Sequence, residues 1–194
     1  MINEGNKMIK KYIAAAVIAF ATSVGTANAQ DWSGFYAGGF AVTGSNTWSV
    51  GTTTYQNSDT SAGVFAGYNF STGTNIVYGV EAEYSAADYA ITGIWPYGVK
   101  SAFGLRGRVG YTMGSAMVYG LLGVESATIG VSGTSSIDEQ VTGYAAGAGI
   151  EYLVSDTLSV RGELVYTDFG DNYAPLSAFT SSVQSIRLGA AYHF

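Results

Sequence analysis

Any chemistry in this chain must come from a short stock of side chains. Its 194 residues hold one histidine, His193, no cysteine, eight lysines and arginines, and fourteen aspartates and glutamates. A single histidine without cysteine excludes the usual zinc, copper and haem-thiolate ligand sets, and no cofactor is expected. A Ser–His–acid hydrolase needs His193 as its base. That residue stands next to the last position, at one extreme end of a strand pattern, where a polar interior role is the simpler one. Gly147-Ala148-Gly149 has glycines spaced as in a nucleotide-binding turn, but such a turn works only between a strand and a helix. Here it lies inside an extended segment. The acidic residues Asp138-Glu139, and Asp168 with Asp171, offer oxygens of the kind Ca²⁺ takes, or simply solvated loop charge. The largest collection is ionic: Glu81, Glu83, Glu151 and Glu163 against Arg106, Arg108, Arg161 and Arg187. No catalytic, metal or cofactor constellation stands out, and a non-enzymatic protein is expected.

The elements that must carry these residues repeat with a period of two, as strands do. Over residues 76–84, Ile76, Tyr78, Val80, Ala82 and Tyr84 share one face, and Glu81 and Glu83 share the other. Residues 101–111 set Phe103, Leu105, Val109 and Tyr111 against Arg106 and Arg108. Residues 158–166 set Leu158, Val160, Leu164 and Tyr166 against Arg161 and Glu163. Residues 184–194 set Ile186, Leu188, Ala190, Tyr192 and Phe194 against Arg187 and His193. Weaker segments of the same kind cover 35–42, 62–70, 117–125 and 142–152, which makes eight strands. Short connections of about five residues (71–75, 112–116, 153–157) alternate with long ones of about 12–18 (43–60, 85–99, 126–140, 170–181), within the usual boundary error.

Composition narrows the class. Charged residues make up 11% of the chain and aromatics 14%, with 27 Gly and 2 Pro, too few charges and too many glycines for a soluble helical bundle. After the first 25 or so residues no apolar run reaches the roughly 20 residues that span a bilayer as a helix. Near the start, Met8-Ile9-Lys10-Lys11, an apolar stretch from Tyr12 to Phe20 and Ala27-Asn28-Ala29 form a secretory signal. Cleavage is expected after Ala29, so residues 1–29 are the signal, with Met8 as an alternative start, and residues 30–194 are the barrel domain. Removing Glu4, Lys7, Lys10 and Lys11 leaves thirteen acidic and five basic residues, a net charge of −8. Such a chain does not suit nucleic acid, whose phosphates demand a basic face.

Energetics decide which face meets lipid. With every strand slipped by one residue, the four arginines would point into hydrocarbon at about 2–4 kcal/mol each, so about 8–16 kcal/mol together. That equals a typical protein's whole stability of about 5–15 kcal/mol. Charges therefore belong inside and aliphatics and aromatics outside. Glu81, Glu83, Arg106, Arg108, Glu151, Arg161, Glu163 and Arg187 are expected to form a structural ion network in the lumen, because an eight-stranded barrel is just wide enough for its side chains to fill it. The aromatic residues fall at predicted strand ends, as the girdles of a membrane barrel do.

These residues resemble a family. The stretch Asp31-Trp32-Ser33-Gly34-Phe35-Tyr36-Ala37-Gly38-Gly39 resembles the opening of small outer-membrane β-barrel, porin-family surface proteins of alphaproteobacteria. Residues 147–152 and 158–170 look like that family's penultimate hairpin. The end, Ile186-Arg187-Leu188-Gly189-Ala190-Ala191-Tyr192-His193-Phe194, is similar to the terminal strand read by the outer-membrane assembly machinery, which makes Tyr192 and Phe194 the expected assembly signal. The resemblance implies an OmpA-like, eight-stranded antiparallel up-and-down transmembrane β-barrel in the cell outer membrane. It would be bathed in lipid and lipopolysaccharide, with short turns in the periplasm and long loops outside. No peptidoglycan-binding domain is expected after Phe194. The function expected is that of a structural, surface-exposed antigen supporting envelope integrity. Alternatives are an adhesin or ligand binder, of unknown ligand, acting through its four external loops, and a small-solute porin.

Overall fold

A computed structural model describes residues 32–50, 53–91, 97–131, 138–170 and 179–194. The expected signal at 1–29 lies outside the described residues, as do Asp171, the centres of the long connections, and the side chains of Asp138 and Glu139. Eight strands are found among the described residues: β1 Gly34–Val50, β2 Thr53–Ser71, β3 Ile76–Ile91, β4 Tyr97–Met113, β5 Ala116–Val131, β6 Asp138–Leu153, β7 Leu158–Gly170 and β8 Phe179–His193. Each pairs antiparallel with its sequence neighbour, and β8 closes on β1 from Tyr36↔His193 to Val50↔Phe179. The fold is a closed, eight-stranded, all-antiparallel barrel, as the alternation predicts.

The expected phase is also observed. Leu105, Leu122, Val160, Leu164 and Leu188 point outward and are exposed, while the arginines Arg106, Arg108, Arg161 and Arg187 point inward and are buried. On β4 the outward aromatics Phe103 and Tyr111 stand eight residues apart, and on β6 Tyr144 and Tyr152 repeat that spacing. At about 3.4 Å per residue and a tilt of about 40°, eight residues rise about 21 Å, close to the ~25 Å apolar band of outer-membrane barrels. Rings cluster where strand ends meet: Tyr68 packs on both Phe35 and Phe70, and Tyr192 on Phe194.

Short connections sit where expected. The β4–β5 turn places Gly114 at φ +65° and the β2–β3 turn places Gly73 at φ +73°, backbone that side chains with a Cβ avoid. In the β6–β7 turn the Leu158 and Thr157 amides donate to Ser155 Oγ.

The long connections differ from expectation. Most of residues 43–60, 85–99 and 126–140 continue the strands, as do residues 170 and 179–181 of the last connection, and the ladder between β1 and β2 runs unbroken to Val50↔Thr53. Beyond the apolar belt a ladder still satisfies its backbone but needs no apolar face, so the period-two signal fades where the strand does not.

Candidate functional site

The interior is where polar side chains converge, and its shape begins with glycine. Inward positions alternate large and small around the barrel, so each bulky group has a gap opposite it. A Cβ on Gly67 would lie 2.3 Å from the Tyr36 hydroxyl, and one on Gly149 would lie 2.6 Å from the Tyr119 ring. Those glycines let two tyrosines cross the lumen.

At the short-turn end the barrel is floored by Trp32, Val77, Met117 and Leu153, all buried. Trp32 Nε1 donates to the Gly114 carbonyl at 3.1 Å, and Asn69 Nδ2 donates to the Trp32 carbonyl at 2.9 Å. Above this floor, Arg108 donates through Nε and Nη2 to Asn69 Oδ1, and through Nη1 to Glu151 Oε2 at 2.9 Å. Its guanidinium also lies 4.3 Å from the Tyr36 ring centroid and 5.2 Å from that of Tyr119, geometry that favours a cation over a π face.

His193 enters this lower layer from the last strand. Its Nε2 is 3.0 Å from Ser159 Oγ and 3.3 Å from Glu151 Oε1, and Ser159 Oγ donates to that same Glu151 oxygen at 2.6 Å. A serine, a histidine and a glutamate are thus brought together, which the sequence reading did not foresee. Their connectivity differs from a hydrolytic triad, where the serine proton goes to one ring nitrogen and the acid holds the other. Here the serine proton goes to the acid, both groups meet one nitrogen, and Ser159 is buried. What the cluster does is join ends of the chain: His193 of β8 also stacks on Tyr36 of β1 and meets Trp32 edge-on.

The densest layer lies midway. Arg106 Nη2 donates to Glu81 at 2.6 Å and to Glu83, while Arg106 Nη1 stands 3.5 Å from Glu163. Arg161 donates through Nη1 and Nη2 to the two oxygens of Glu81, 2.5 and 3.2 Å. Arg187 Nη1 lies 2.7 Å from both Glu83 oxygens. Tyr36 donates to Glu81 at 3.0 Å and Tyr119 to Glu163 at 2.7 Å, so the two tyrosines tie this layer to the one below. Arg161 stacks 3.4 Å over Phe65 and Arg187 lies 5.3 Å from Phe40. The Nε of Arg106, Arg161 and Arg187 find no hydrogen-bond acceptor among the described residues, positions suited to ordered water.

All eight ionic residues named from the sequence lie buried in this lumen. Sequence reasoning missed three kinds of partner. Glu125 faces inward above the main layer, where Thr167 donates to it at 3.0 Å and Arg187 Nη2 stands 3.6 Å away. Asn69, Tyr36 and Tyr119 supply neutral hydrogen bonds, and Trp32 supplies the floor. An apolar Leu121-Leu122 pair before Glu125 hides its face, and Trp32 precedes the first strand. Tyr192 and Phe194, the expected assembly signal, project outward and are exposed at the end of β8.

Residues 12–194 match the family described as outer membrane protein beta-barrel domain. The 22 kDa outer membrane protein of Rhizobium leguminosarum bv. viciae is 35% identical over 175 residues, covering 86% of this chain and 80% of that protein. The 25 kDa outer-membrane immunogenic protein of Brucella abortus biovar 1 (strain 9-941) is 34% identical over 177 residues, covering 84% and 79%. Among solved structures, Neisserial surface protein A aligns with a TM-score of 0.57 at 15% identity, over 84% of this chain and 98% of that one. The attachment invasion locus protein Ail of Yersinia pestis aligns with a TM-score of 0.55 at 13% identity, over 83% and 99%, which is likeness of fold.

Proposed function

The chain belongs to the outer membrane protein beta-barrel domain family and sits in the cell outer membrane, and from that premise we propose that it is a structural, surface-exposed barrel whose closed lumen supports envelope integrity. One observation carries this reading: the interior is spanned by a connected set of guanidinium, carboxylate and aromatic groups that runs from the buried Trp32 floor through the buried ionic layer to half-buried Glu125. A diffusion channel needs a water-filled bore, and eight strands leave none once such side chains are present. The role is non-enzymatic, consistent with relatives named as outer membrane and immunogenic proteins. The signal is residues 1–29 and the mature chain begins at Gln30, two residues before the Trp32 floor. Short turns face the periplasm and the extended hairpins face outside, among lipid and lipopolysaccharide. Tyr192 and Phe194 present the assembly machinery with aromatic side chains on the outer face of the last strand.

The test is a chromosomal deletion scored for sensitivity to detergents and bulky antibiotics. Deletion should raise sensitivity. Re-expression of a chain whose hairpins are trimmed back to the apolar belt should restore resistance. If cells lacking the chain are as resistant as the parent, the envelope role is wrong. If only the untrimmed chain rescues, the external hairpins rather than the barrel carry the function.

A further inference from the structure

The barrel does not stay closed along its whole height. At the end with long connections, β1 remains paired on both sides, to β2 as far as Val50↔Thr53 and to β8 as far as Val50↔Phe179. The ladder between β2 and β3, in contrast, begins only at Ala62↔Ala86. Past a register shift, β3 continues with β4 alone, through Tyr89↔Val99 to Ile91↔Tyr97. Among the described residues, then, residues 53–60 have a ladder partner on one side, β1, and none on the other. Val64 pairs with Tyr84 of the outer aromatic girdle, so this edge lies beyond the apolar belt. At about 3.3 Å per residue it runs about 26 Å.

Among the described residues, an edge of that length presents about four amides and four carbonyls with no ladder partner, the template on which an extended peptide adds as one more strand. Proteins usually blunt such edges with proline, lysine, a bulge or brevity. The sequence Thr-Thr-Tyr-Gln-Asn-Ser-Asp-Thr has no proline and no lysine, and its paired side runs without a register shift. It is rich in strand-forming residues yet polar, so it is compatible with water while remaining able to pair. Other one-sided stretches among the described residues, the end of β3 and the start of β6 among them, are shorter, and the start of β6 opens on Asp138 and Glu139.

Charge indicates the partner. The segments beyond the belt, residues 43–60, 85–100, 126–141 and 168–183, carry Asp59, Asp88, Asp138, Glu139, Asp168 and Asp171 against Lys100, six acidic residues to one basic, a net charge of −5. A second copy would bring the same −5 to the contact. A cationic strand gains from the field that repels a copy.

We propose that residues 53–60 of β2 form a docking edge outside the cell for an extended, cationic segment of another polypeptide, held by main-chain hydrogen bonds and selected by charge. The outward placement rests on the sidedness proposed above.

The probe is a ten-residue peptide alternating lysine with valine and threonine, beside a twin of equal charge with every amide N-methylated. With the refolded protein in lipid nanodiscs, the peptide should slow hydrogen exchange at every second amide of residues 53–60 by about tenfold or more, as ladder closure does. The twin should not. Adjacent residues aim their amides to opposite sides, so of Ser58→Pro and Asp59→Pro one removes a free-edge donor while sparing the ladder to β1. That variant should keep the heat-modifiable gel mobility of a folded barrel and lose the protection. The fluorescent peptide should also label intact cells that display the protein.

The proposal is overturned by unchanged exchange, by an equal effect of the methylated twin, or by protection that survives both prolines. It is equally overturned by protection that grows with protein concentration in the absence of peptide, which would mean self-pairing, or that lipopolysaccharide alone produces. Binding in nanodiscs without labelling of cells would remove the external placement. The envelope role is scored separately by the deletion strain, so the two readings fail independently.

Discussion

At the scale of single residues, the interior is held by charges that have given up water, and their value lies in staying matched. Removing one member of a buried pair leaves the other's desolvation uncompensated, a loss of about 3–5 kcal/mol for a fully buried pair. Arg106 serves Glu81 and Glu83, and Arg161 serves Glu81 from across the lumen. Arg106→Met or Arg161→Met should therefore destabilise the barrel by about 2–4 kcal/mol, somewhat below the dry limit because unpaired Nε groups leave room for water. Leu105→Ala and Leu164→Ala, on the lipid face, lose apolar contact that acyl chains refill, and should cost about 1 kcal/mol or less. Urea unfolding in lipid vesicles, followed by tryptophan fluorescence, ranks the four. Arginine variants as stable as native protein would show that the network is not what holds the barrel.

At the scale of elements, the turns set register and the strands set phase. Gly114 has φ +65° and its carbonyl accepts from Trp32, so one residue both reverses the chain and anchors the floor. Gly114→Ala should cost about 1–2 kcal/mol for the left-handed backbone, and Gly114→Asn distinctly less, because asparagine visits that region. Comparing their urea midpoints tests it, and equal midpoints would mean the turn relaxes without strain. Alternation was legible wherever lipid forces it: Ile76 to Tyr84 and Phe103 to Tyr111 show both faces without ambiguity. Where water replaces lipid the constraint lapses, which is why residues 43–50 and 53–60 read as loop and fold as strand. Pairing inside the lumen was legible as to face but not as to partner. Glu151 stands opposite Arg161 in the ladder, yet Arg161 reaches Glu81 across the barrel and Glu151 takes Arg108, His193 and Ser159 instead. A ladder neighbour is fixed by register, whereas a partner across the lumen depends on curvature and on which rings fill the intervening space.

For the whole molecule, sidedness and closure are what remain to be measured. Proteases added to intact cells should cut only within the extended hairpins, and cleavage at residues 71–75 or 153–157 would invert the orientation. Amino-terminal sequencing of the envelope form should begin at Gln30, and a mass retaining the first 29 residues would make the chain anchored. Closure has two successive barriers: the apolar floor of Trp32, Val77, Met117 and Leu153, and the ionic layer above it. Ions crossing the first must still desolvate at the second, where each carboxylate already has its guanidinium and an entering ion would have to displace one partner. Native protein in planar bilayers should accordingly conduct near background. Trp32→Ala should leave that unchanged although it opens the floor, because Tyr36, Phe65, Tyr119 and the arginines still fill the bore. Conductance should rise only when floor and network are weakened together, as in Trp32→Ala with Arg106→Met, and then as brief openings whose frequency follows the loss of stability. Large, steady channels in the native protein would mean that the interior side chains rearrange to form a bore, and the protein would then be a diffusion porin.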